Sequence, residues 1–253
     1  MPAFSDSQIL QIWEMGQDRS LLERSLILVG MAHREQSREQ LMNWTIGQRD
    51  AELLSLRELT FGPQLNSLTD CPQCEERLEF SFLAADIRMG TGDSTQQYRF
   101  EQMEYEIVFR VPTQADLMSL VPPPTQDLPL ASSLALARQS AALLERCILA
   151  ARYQGQAVTF ADSPTDVLQA LGIAMADCDP QAEVLINLSC ADCGHEWQSL
   201  FDIVAFFWDE LSGRSRQLLA EVHVLARFYG WREADILAMG TRRRQHYLER
   251  ASQ

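Results

Sequence analysis

The sequence predicts an α+β protein, mostly helical, with a small antiparallel sheet built from two distant chain segments. Three observations predict it. Apolar residues recur at helical spacing near both ends of the chain. In two internal stretches the period shortens to two, as in half-buried strands. Each of those stretches also carries a Cys-x-x-Cys pair, Cys71/Cys74 and Cys190/Cys193.

Residues 1–64 read as an N-terminal helical region. Leu21, Leu22, Ser25, Leu26, Leu28, Val29 and Ala32 keep one apolar stripe. Thr45-Ile46-Gly47-Gln48 has the form of a capping box, and the helix through 51–61 meets a stop signal at Gly62-Pro63. Residues 65–111 form the first arm of the sheet. Leu78-Glu79-Phe80-Ser81-Phe82 alternates, as do Tyr98-Arg99-Phe100 and 105–111, with Gly90-Thr91-Gly92-Asp93-Ser94 as a loop.

A helical insertion is expected over 112–176. Thr113 caps its first helix, which Val121-Pro122-Pro123-Pro124 ends. Residues 131–153 read as one long amphipathic helix on a stripe of Leu134, Ala137, Ala141, Leu144, Ile148 and Ala151, and Ser163-Pro164-Thr165-Asp166 starts another, with Pro164 at its first position. The second arm, 177–201, enters through Val184-Leu185-Ile186-Asn187-Leu188 and returns through His195-Glu196-Trp197-Gln198. Residues 202–253 form a C-terminal helical region: a long helix over 202–228 capped by Gly230, then short helices near 231–238 and 242–250.

The cysteine pairs carry the chemistry. A two-residue gap lets both thiolates of a turn face one point, and zinc takes four such ligands at about 2.3 Å in a tetrahedron. Cys71, Cys74, Cys190 and Cys193 are therefore the expected ligands of one structural Zn²⁺ in a split, zinc-ribbon-like sheet. Four thiolates leave no open position for water, so the site is expected to fix architecture rather than catalyse. Iron takes the same ligands. Disulfides need an oxidising compartment, and a thioredoxin-like redox pair needs a strand-to-helix placement.

Cys147 lies on a helical stripe and reads as a small buried hydrophobe. Cys178 has no assigned role. His195 reads as a strand residue beside the site, and His33, His223 and His246 are isolated, so no catalytic residue is assigned. The run Phe201, Phe206, Phe207, Trp208 and the Tyr229/Trp231 corner are candidate contact points, weighed against the commoner reading of helix-spaced aromatics as core.

Charge bears on the partner class. The 253 residues carry 21 basic and 35 acidic groups, a net −14, and every basic residue among Lys and Arg is Arg. The segments 70–110 and 177–202 hold fifteen acidic residues against four Arg. Phosphate contact dominates nucleic-acid affinity, so neither nucleic acid nor an anionic membrane is expected as partner. Arg242-Arg243-Arg244 reads as a solvated face or a helix pairing with acidic neighbours. At 46% hydrophobic the chain can bury a real core. The start, Met1-Pro2-Ala3-Phe4-Ser5-Asp6, has neither a positive n-region nor an apolar h-region, so cytoplasmic synthesis is expected.

The run Glu221-Val222-His223-Val224-Leu225-Ala226-Arg227-Phe228-Tyr229-Gly230-Trp231-Arg232-Glu233-Ala234-Asp235-Ile236-Leu237-Ala238-Met239, with Arg242–Glu249 after it, is distinctive. Together with Cys190-Ala191-Asp192-Cys193-Gly194-His195-Glu196-Trp197, Ile12-Trp13-Glu14-Met15-Gly16-Gln17 and Phe61-Gly62-Pro63, it resembles the T-even-type phage baseplate protein family, also found in phage-derived contractile injection systems. The resemblance implies a structural or assembly role, no enzymatic activity, other baseplate or tail proteins as partners, and incorporation into a phage-tail-like particle. Glu75 departs from the Gly that usually follows the family's first knuckle. An acidic zinc-ribbon adaptor for a protein partner in transcription or replication is the alternative.

Overall fold

The computed structural model describes residues 1–120, 133–159 and 163–251. They form two compact units. The first comprises Met1–Glu35, Leu53–Gln64 and Asp202–Gln253, the second Gln36–Glu52 and Leu65–Phe201.

The first unit is helical: α1 (Asp6–Gly16), α2 (Leu21–Ala32), the C-terminal part of α4 (Ile46–Phe61), α8 (Ile203–Tyr229), α9 (Glu233–Leu237) and α10 (Thr241–Ala251). Ser5 and Ser20 begin α1 and α2 as reciprocal capping boxes with Gln8 and Glu23. Asp202 caps α8, and Gly230 ends it in the left-handed conformation at φ 70°. Phe207 and Trp208 are buried, so this part of the aromatic run is core. Phe207 stacks on Phe4 and takes the edge of Phe61. Trp208 lies so close to Gly16 that no Cβ fits there, and the Arg24 guanidinium sits over the Trp208 ring at 4.3 Å.

Charged side chains complete this core. Arg57 donates to both carboxylate oxygens of Glu210 at 2.7 and 2.6 Å. Arg244, fully buried, donates to Glu221 of α8 at 2.6 Å, to Asp6 of α1 and to the Met239 carbonyl. Arg214 reaches the same two acids. Arg244, the last member of the Arg242–Arg244 cluster, is thus a helix clasp, as pairing with acidic neighbours predicts.

The second unit holds α3 (Arg38–Met42), the start of α4 and three small antiparallel sheets. Strands β1 (Gln64–Asp70) and β2 (Arg77–Leu83) make one ribbon, β7 (Val184–Ser189) and β8 (Glu196–Phe201) another. The third sheet has four strands in the order β3 (Tyr98–Gln102), β4 (Tyr105–Phe109), β5 (Ile148–Tyr153) and β6 (Gln156–Ala157). Its inner face, Ile107, Phe109 and Ala151, packs on Val167, Leu171 and Met175 of α7 (Thr165–Cys178).

β5 corrects the reading of 131–153 as one helix. The helix, α6 (Ser133–Cys147), stops at Cys147, and Ile148 onward pairs with β4, with Ala151 opposite Ile107. Ile148 and Ala151 fit a helical stripe by spacing, but β4 offers an unpaired edge and an apolar face, and tertiary pairing overrides weak local preference. The expected helix end at Val121–Pro124 and the side chains of Leu134 and Ala137 lie outside the described residues. α5 (Gln114–Leu120) starts where Thr113 predicts. At α7 the structure shifts the start by one residue, with Pro164 as N-cap rather than first helical residue.

Candidate metal centre

Each cysteine pair sits at the tip of a two-stranded ribbon, and the two tips have the same backbone design. In the first, the Cys71 amide donates to the Glu76 carbonyl at 2.8 Å and the Glu75 amide to the Cys71 carbonyl at 2.9 Å. In the second, Cys190 bonds His195 at 2.8 Å and Gly194 bonds Cys190 at 2.9 Å. The residue after each second cysteine takes positive φ, 59° at Glu75 and 72° at Gly194. This turn folds the chain back so that amides point at sulfur: those of Gln73 and Cys74 at Cys71, Glu76 at Cys74 and His195 at Cys193. Donors aimed at a sulfur favour its thiolate.

The ribbons meet sulfur to sulfur. Cys71 Sγ lies 3.7 Å from Cys193 Sγ, and Cys74 Sγ lies 3.6 Å from Cys190 Sγ. All four sulfurs fall within 4.8 Å of one another, a group that can hold a metal ion. A tetrahedron of thiolates at the zinc–sulfur distance has edges of about 3.8 Å. The first cysteine of each pair is buried and the second reaches the surface.

Burial opposes ionisation of Cys71, but the Cys74 and Gln73 amides outweigh it and bring that thiol down to about 7. At Cys74 the Glu76 amide favours the thiolate, yet burial and the three neighbouring thiols push it up to about 12. Four thiols this close cannot all give up their protons unless a cation shares the charge.

Contacts behind the tips set the two ribbons side by side. Phe82 of β2 meets the edge of Phe201 of β8 at 5.4 Å. The loop after β2 is strapped to the segment before β7. Buried Asp179 accepts from the Gly92 amide at 2.6 Å and from the Gly47 amide at 2.9 Å. Gln181 takes the Met89 amide at 2.7 Å. Sequence reasoning gave Asp179 no role; a buried carboxylate that finds its donors far away in the chain leaves no local pattern.

The other candidates separate from the site. His195 is half-buried and stacks on Trp197 at 5.7 Å, acting on the sulfurs through its amide. Cys147 is fully buried, and burial pushes its thiol up to about 11 despite Arg110 nearby. Cys178 is not among the clustered sulfurs. Among the described residues, no helix is long and apolar enough to cross a membrane.

A scan of protein families matches residues 33–208 to the T4 bacteriophage base plate protein family. The chain belongs to this family. Both cysteine pairs lie inside the matched span, while the N-terminal segment at Ile12 and the C-terminal run from Glu221 lie outside it. Membership in the base plate family supports a structural role in a phage tail and association with other base plate or tail proteins. No curated protein and no solved structure matches the chain.

Proposed function

We propose that this chain is a structural or assembly component of a contractile, phage-tail-like base plate, braced by one Zn²⁺ on Cys71, Cys74, Cys190 and Cys193. The observation that carries the base plate reading is the family match over 33–208. The zinc reading is supported by sulfur–sulfur distances of 3.7 and 3.6 Å and by amides directed at the sulfurs. The metal supplies charge balance and a fixed crossing point for two chain segments, and all four of its positions are filled by protein. In this role 65–111 and 177–201 act as two arms joined at their tips, and no enzymatic step is assigned to them.

Two measurements test the two halves of this reading. Elemental analysis of protein purified from medium supplied with both zinc and iron should give about one zinc per chain, from the four-ligand rule. A folded chain carrying iron, or carrying no metal, overturns the zinc assignment. Mass spectrometry of purified tail particles and their assembly intermediates should find the chain. Its absence from both overturns the base plate role.

A further inference from the structure

The second unit carries a groove, separate from the metal centre, whose apolar residues nothing in the described chain covers. It runs between α7 and β7 and measures about 680 Å³. The helix α7 buries Val167, Leu171 and Met175 against the sheet and turns Ile173 outward, 66% exposed. Leu185 of β7 and Met89 line the same groove and are also exposed. Leu200, exposed on β8, is the cross-strand partner of Leu185 and continues the surface. A lone exposed leucine is ordinary, but large apolar side chains gathered around one concavity mark an interaction surface.

Two further features narrow the partner. The groove lining includes Asp177 and Glu183 and no basic residue. Gly172 and Ala176, one helical turn apart, leave a flat strip between them, and a Cβ added at Gly172 would meet nothing within 4 Å. Close approach of a second helix needs such a strip, and Ile173 beside it supplies a knob. A small molecule would need converging polar groups in an enclosed pocket, whereas here the acids stand among the apolar side chains of an open groove.

We propose that this groove docks an amphipathic helix of a partner protein, with an apolar stripe seated on Ile173, Leu185 and Met89 and Arg or Lys side chains facing Asp177 and Glu183. The proposal rests on the groove and its charge, not on the base plate or zinc readings.

The test uses the full chain and two synthetic amphipathic helices with the same apolar stripe, one flanked by Arg and the other by Glu. Fluorescence anisotropy should show the Arg-flanked helix binding about tenfold more tightly, with the preference shrinking as salt rises. Gly172→Leu fills the strip where the fold has open space, so it should abolish binding while leaving the melting temperature unchanged or higher. Asp177→Asn with Glu183→Gln should remove the preference for Arg and keep the apolar binding. Equal affinity for both helices, binding that survives Gly172→Leu, or no binding by either helix overturns the proposal. Dimerisation of the chain that Ile173→Asp abolishes also overturns it, since the groove would then belong to a second copy.

Discussion

Glu75 takes φ 59° at the position where the second knuckle has Gly194 at φ 72°. A side chain there crowds the carbonyl, at roughly 1–2 kcal/mol, and glycine avoids the clash. Glu75→Gly should therefore raise the midpoint of thermal unfolding, and Gly194→Ala should lower it. Differential scanning calorimetry of the pair checks this, and shifts of the same sign in both would contradict it. The departure at Glu75 was legible through the family resemblance, since the family's first knuckle usually carries Gly after its second cysteine. A second residue carries a pH dependence. Asp116 is desolvated, but Arg110 at 2.6 and 2.9 Å and the amide and hydroxyl of Thr113 outweigh that and hold it at about 2. Its carboxylate is thus lower in the folded chain than in the unfolded one. The stabilisation, about 2 kcal/mol, is fully present above the ordinary carboxylate range and is lost as pH falls from about 4 through 2. Urea midpoints for wild type and Asp116→Asn should differ at neutral pH and converge at acid pH. A constant gap would show that Asp116 does not titrate in this way. Thr113 was recognisable as a cap from sequence; Arg110, just past β4, and Arg146 of α6 as partners of the Asp116 carboxylate were not, since neither stands at a local capping spacing from it.

At the scale of elements, the clasp around Arg244 ties α10 to α8 and α1. Removing one member of a buried charge network strands the others, which costs about 3–5 kcal/mol. Arg244→Met should lower the denaturant midpoint by an amount of that order, and adding Glu221→Leu should recover part of the loss. A single substitution that unfolds at the wild-type midpoint would mean the clasp is not a source of stability. Local signals read the helix starts at Thr45 and Thr113 well in kind, because a cap is a bond between residues three apart, while the capping boxes at Ser5 and Ser20 went unread. The same logic failed at Ile148. Whether Ile148–Tyr153 is helix or strand depends on β4, which lies some forty positions earlier in the chain and is invisible to a window of local sequence.

Across the whole molecule, the cysteine cluster joins segments that the chain keeps far apart, and the first unit contains none of the four cysteines. Cys190→Ser should therefore loosen the two ribbons and leave the first unit folded. Hydrogen exchange should quicken in β1, β2, β7 and β8 while amides in α1 and the first turns of α8 keep their protection. Uniform exchange throughout the chain would show instead that the cluster holds the whole fold. The sequence by itself determined the α+β class, the two cysteine knuckles, the helix starts at Thr45 and Thr113, the three C-terminal helices and the acidic balance of the arms. Those features are written in spacings of two to four residues or in composition, and they need no knowledge of what packs against what. The tertiary structure alone decided that the four sulfurs come within 4.8 Å, that β5 is a strand, that Arg244 is buried, and that Asp179 straps the two arms together. Each of these depends on a partner distant in the chain, and burial, charge pairing and strand pairing are set by the neighbour that arrives rather than by the residue that waits.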